Sequence, residues 1–183
     1  MLRRVFQVIH ALTAKMESQD HRLVATYLDA REQSLFYAMD INSQKHAVKV
    51  ALTCIKLAAC HPSVNRKLLV RAALLHDIGK QRGELTTLYR IIFVITDKLF
   101  PRLGKTLAKQ GNNLSRQKLP GLPWQKLQHA FFVLYSHPVL GSRKAEAIGV
   151  ESQILELIAG HHNPHLPGEP LELTILREAD NLH

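Results

Sequence analysis

Ala72-Ala73-Leu74-Leu75-His76-Asp77-Ile78-Gly79-Lys80 decides the reading of this chain. An apolar helical run leads directly into two residues that bind metals and protons, then into a glycine and a cation. Leu69, Ala72 and His76 recur at helical spacing and share one stripe. Small residues on that stripe leave room for a metal ion near the helix end. Gly79 permits a backbone turn that a larger residue resists.

His46 lies upstream of this stretch, and His137, His161-His162 and Asp180 lie downstream. The order is H…HD…H…HH…D. His46 shares a face with Val50, Cys54 and Leu57 on a helix expected from Asn42 or Ser43 to Ala59. Ser63 is expected to cap the helix that leads to His76. His161 shares a face with Ile154, Leu157 and Ile158. Leu173, Leu176 and Asp180 fall at i, i+3 and i+7 on a final helix expected over 171–182.

Each residue alone has a plainer reading. An inward His such as His46 is often hydrogen-bonded within a core. Asp180 could be a cap or half of an ion pair. His161-His162 could end a helix that the dipole favours. His137 before Pro138 could simply precede a new helix, and Lys80 could be solvated. The ordered set with inward faces points instead to metal. Imidazole nitrogen with carboxylate oxygen suits iron, manganese, zinc, cobalt or nickel, whereas magnesium prefers more oxygen. A carboxylate can bridge two ions; a neutral imidazole cannot.

This ordered set, with His-Asp-Ile-Gly at its centre, resembles the HD superfamily of metal-dependent phosphohydrolases, and more closely its HDIG-type members. The resemblance covers about residues 40–183. It implies an all-α helical bundle with the metal centre in its core. It also implies two divalent ions, iron or manganese foremost, with magnesium, zinc, cobalt and nickel as alternatives. By resemblance, His46, His76, Asp77 and Asp180 hold the first ion. His137, His161 and His162 hold the second, and Asp77 bridges. A hydroxide between the ions would attack phosphorus, making Asp77 a catalytic residue as well as a ligand. Lys80 matches a phosphate-facing lysine and would offset charge in the transition state. The implied substrate is a small phosphorylated compound, a nucleotide among the candidates, cleaved as a monoester or a diester.

HD-GYP proteins, which hydrolyse cyclic dinucleotides, share the ligand order. Their Gly-Tyr-Pro loop is missing from residues 163–170, and Asn42 stands where some carry a glutamate for a third metal. Two other classes remain. One is an HD-fold di-iron oxygenase; the other is a non-catalytic, metal-bound interaction module. The second histidine of the His161-His162 pair, together with Lys80, favours hydrolysis.

Composition bounds the rest. The chain has 183 residues, 46% of them apolar, enough for one domain with a real core. The expected organisation is an N-terminal helical extension over 1–39 and an HD domain over 40–183, with a basic insert at about 81–128. Cys54 and Cys60 form neither a CxxC pair nor a disulfide framework, which suits a reducing, cytoplasmic setting. Met1-Leu2-Arg3-Arg4 imitates the start of a signal peptide, but Gln7 and His10 interrupt the short apolar stretch. Leu2, Val5, Ile9, Leu12 and Met16 suggest an amphipathic helix instead, and Ser18 or Asp20 could cap another running to Met39.

Residues 81–128 contain nine Lys or Arg against Glu84 and Asp97, a net +7 out of +9 for the whole chain. Such a field suits an anionic partner, either a phosphorylated ligand or a membrane surface. No sequence-specific nucleic-acid contact is expected. Leu85 to Leu103 is expected to be helical with a break at Pro101, and Gly111 to Pro123 a loop. Trp124, Leu127, Phe131 and Leu134 mark a helix leading to His137, with Pro138 opening the next and Gly149 ending it. The insert reads in two ways. Its apolar side packs as a lid on the Trp124–Leu134 helix, the reading the sequence favours, or it docks peripherally on an anionic membrane.

Overall fold

The computed structural model describes residues 15–115 and 122–183. Among them are nine helices and no strand: α1 Ser18–Tyr27, α2 Ala30–Tyr37, α3 Ile41–Ala58, α4 Arg66–Leu75, α5 Thr87–Leu99, α6 Pro101–Ser115, α7 Pro123–Glu146, α8 Ser152–Gly160 and α9 Leu171–Leu182. The all-α class expected from the periodicity is the one observed. The chain forms two compact units. The larger joins Ala14–Gly79 to Pro138–His183, and the smaller includes Lys80–His137. No described helix is long and apolar enough to cross a membrane.

In the larger unit α4 is the central element, packed against α1, α2, α3, α8 and α9. Its sequence explains this. Leu68, Leu69, Val70, Ala72, Ala73, Leu74 and Leu75 are all buried, so the helix is apolar nearly all round. Its one interior cation, Arg71, is held by Glu32 at 2.9 Å and Glu151 at 2.7 Å. A chain that buries α4 on every side carries His76 and Asp77 into the middle of the unit.

Caps set the boundaries, and several differ from expectation. Residues 18–37 form two helices where one was expected to reach Met39. Asp29 accepts from the Arg31 and Glu32 amides at 2.8 and 2.9 Å, and Glu32 accepts from the Asp29 amide at 2.9 Å. This reciprocal capping box starts a new helix at Ala30. Helix α3 starts at Ile41, capped by Asp40, and α4 is capped not by Ser63 but by Asn65, whose side chain accepts from the Leu68 amide at 3.1 Å. The apolar stripe expected over residues 2–16 lies almost wholly outside the described residues. Where the end of α7 meets the His76 turn, Gly141 is required. A Cβ there would lie 3.1 Å from the Gly79 nitrogen and 3.3 Å from side-chain carbons of Ile78 and Ile158.

In the smaller unit, α5 and α6 pack on the first part of α7. Phe93 sits edge-on to Phe131 and Tyr135, with centroids 5.3 and 4.9 Å apart. Helix α6 runs through Gly111 to Ser115, where a loop was expected; the glycine there serves close packing, since an added Cβ would strike the Gln128 carbonyl on α7. Residues 116–121 of that expected loop are outside the described residues. Pro138 was expected to open a new helix. It lies instead inside the unbroken α7.

The two cysteines differ sharply. Cys54 is buried and Cys60 exposed. Burial pushes the Cys54 thiol up to about 12, with the Asp180 carboxylate adding to the effect. Iodoacetamide should therefore modify Cys60 alone in the native protein and reach Cys54 only in denaturant, as read by mass spectrometry. Equal native reactivity would contradict the packing of α3.

Candidate metal centre

Four helix segments of the larger unit deliver the expected ligands. His46 is in the second turn of α3, and Asp180 in the last turn of α9. His76 is the C-cap of α4 with Asp77 next, and His161 is the C-cap of α8 with His162 next. His46 Nε2 lies 2.9 Å from Asp180 Oδ1. His76 Nε2 faces two carboxylates, Asp77 Oδ1 at 3.6 Å and Asp180 Oδ1 at 3.5 Å. The His76 ring centroid is 5.3 Å from that of His46 and 5.0 Å from that of His161. Two triads, His46/His76/Asp77 and His76/His161/Asp180, each bring their ligand atoms within 4.8 Å of one another. His162 is solvent-exposed, its ring tilted against that of His161 with centroids 4.2 Å apart. Thus His46, His76, Asp77, His161, His162 and Asp180 gather in one unit. His137 is buried in α7 at the end of the smaller unit, and Lys80 begins that unit, half-buried.

The three buried imidazoles share one local device. His76 Nδ1 lies 2.7 Å from the Ala73 carbonyl, His161 Nδ1 2.7 Å from the Ile158 carbonyl, and His137 Nδ1 2.9 Å from the Leu134 carbonyl. A carbonyl only accepts, so Nδ1 carries the proton in each case. Nε2 is then the ring atom left to face a metal ion, the arrangement of metal-bound histidines. The sequence explains where these carbonyls come from. Helix ends leave last-turn carbonyls without amide donors, which serves His76 and His161. In mid-helix, Pro138 carries no N–H, so the Leu134 carbonyl four residues earlier lacks its usual donor and His137 takes it. His-Pro here does not start a helix; it orients the His137 ring on a backbone carbonyl.

The electrostatics favour a cation. The C-termini of α4 and α8 meet at the His76–His161 contact, and helix C-termini carry partial negative charge. Burial raises the Asp180 pKa, but hydrogen bonds from His46 and His76 outweigh it and hold the carboxyl well below the usual range. Burial alone would lower the His76 pKa; the Asp77 and Asp180 carboxylates reverse this and raise it. Two carboxylates among buried Nε2 acceptors form a donor set suited to a divalent transition ion. His46, His76, Asp77, His161 and Asp180 fit that group.

Sequence reasoning missed two supporting cations. Lys144 Nζ donates to the Ile78 carbonyl at 3.3 Å, just beyond Asp77. Arg177 donates to the Gly160 carbonyl from Nε at 3.3 Å and Nη2 at 3.1 Å, just before His161. Arg177 also pairs with Glu169 at 2.5 Å, and that guanidinium holds the Glu169 carboxyl down to about 2. Both cations steady the turns that carry ligands. Position could have revealed them, since Lys144 is seven residues after His137 and Arg177 three before Asp180.

The chain matches no curated protein and no solved structure. A family model, the HD domain, matches residues 44–183. The match begins two residues before His46, spans every candidate ligand position and takes in well over half of the sequence, and the chain accordingly belongs to the HD-domain family.

Proposed function

We propose that this protein is a metal-dependent phosphohydrolase acting on a small phosphorylated compound, with nucleotides as the leading class. The observation that supports it most is the paired commitment of His76 and His161. Each ring gives Nδ1 to its own backbone, leaving Nε2 for an ion beside Asp77 and Asp180. Divalent ions at such a site supply Lewis acidity toward phosphoryl oxygens and acidify a water at neutral pH. In this reading His46, His76, Asp77 and Asp180 hold one ion, and His137, His161 and His162 the other. Asp77 would be the ligand shared by both. Iron or manganese is the preferred pair. Exposed His162 leaves that side open to a substrate from solvent.

The test is metal analysis of protein purified without chelator, followed by a panel of phosphomonoesters and phosphodiesters. Release of phosphate or a cleaved diester, lost on chelation and restored by manganese or ferrous iron, is expected. Metal-bound protein that consumes dioxygen but releases no phosphate would replace this reading with the di-iron oxygenase.

Lys80 has a separable role. Its charge is expected to count most against the phosphoryl group in the transition state. Lys80→Ala should lower kcat by about 10²-fold with metal content unchanged. Unaltered kinetics on an active substrate would return Lys80 to the solvated surface.

A further inference from the structure

The corner between α5 and α6 is an unusual surface. Asp97 through Leu103 are seven consecutive exposed residues, and three are large and apolar. Leu99, Phe100 and Leu103 are 53%, 62% and 51% exposed. Helix α5, for all its Ile, Val, Leu and Phe, has no fully buried residue. A protein gains nothing in water from presenting three such side chains at one corner, and clusters of this kind mark interaction sites. Lys98 and Arg102 flank them. Lys105 and Lys109 continue the charge along the side of α6 away from its buried Gly104, Leu107 and Gly111. The one acid, Asp97, accepts from the Tyr135 hydroxyl.

We propose that this corner is a peripheral docking site for an anionic lipid bilayer. Leu99, Phe100 and Leu103 enter the headgroup boundary, and Lys98, Arg102 and Lys105 meet the lipid phosphates. The combination of apolar tip and basic rim is what reversible interfacial binding requires, since neither term suffices alone. The same charges decide against the other occupants. Two copies of this chain meeting at the corner would oppose like charges. A nucleic acid would find a single ring, Phe100, for stacking. This inference is independent of the catalytic reading, because the corner contributes no metal ligand.

Co-sedimentation of the full chain tests it, with vesicles of phosphatidylcholine alone and of equal parts phosphatidylcholine and phosphatidylglycerol. Binding is expected to the mixed vesicles only, and should fall as salt rises. The Leu99→Ser/Phe100→Ser pair should lower binding at least about tenfold. Lys98→Glu/Arg102→Glu should lower it about thirtyfold or more. Because all four residues are exposed, both variants should keep the native circular dichroism and Tm. Absence of binding to mixed vesicles at low salt overturns the proposal. So does binding that the serine pair leaves intact, or binding only to a polyanion such as heparin.

Discussion

Asp77→Ala should empty the metal centre. Metal content is expected to fall from two ions per chain to none, and turnover by at least about 10³-fold. The reason is position. Asp77 is buried, follows the C-cap of the central helix, and faces His76 Nε2 across 3.6 Å. Its carboxylate is the one group assigned to both ions, so its loss leaves neither with a full set. His162→Ala removes an exposed imidazole from the second set alone and should cost mainly one ion. Elemental analysis of the two variants beside the parent protein reads this directly. Asp77→Asn is the control for folding: it keeps the shape and removes the charge. Full occupancy in Asp77→Ala would move the bridge to another residue.

Phe36→Ala should cost about 3–5 kcal/mol of stability, a large part of what a domain of this kind possesses. Phe36 lies outside the span matched by the HD domain. Nevertheless it is fully buried, in the same core as Val50, Leu69, Leu74 and Ile158. Its helix is also tied to α4, since Glu32 holds Arg71 at 2.9 Å, and Asp20 of α1 holds Lys45 of α3 at 2.6 Å. Urea unfolding should give a much lower midpoint at unchanged slope. A loss below about 1 kcal/mol would make α1 and α2 peripheral to the core.

Much of this was legible in the sequence, for reasons that can be named. Residues of metal-ligating type in a fixed order on helical stripes are a local signal repeated several times, and repetition makes it specific. His46 with Val50 and Cys54, and Asp180 with Leu173 and Leu176, read correctly because 3.6-residue periodicity survives folding. Helix boundaries read less well. Asp29 begins a helix only because Glu32 returns to its amide, and Asn65 takes the cap position expected of Ser63. Pro138 misled because proline normally marks a first turn, and the use of its missing N–H depends on a ring one residue away. Lys144 and Arg177 were invisible because their acceptors, Ile78 and Gly160, come close only through tertiary packing. Family resemblance added the roles of Asp77 and Lys80, which no periodicity contains.

The way His76, His137 and His161 are oriented has a consequence for how this protein can change over generations. In many metalloproteins a ligand ring is aimed by another side chain, and one substitution there retunes or ruins the site. Here the aiming groups are main-chain carbonyls, which no substitution at Ala73, Leu134 or Ile158 can delete. The candidate metal centre is thus buffered against drift in the residues around it. Only a shifted helix end, or the loss of Pro138, reaches the orientation of these rings. Sequences can diverge widely around such a centre while its coordination chemistry stays still.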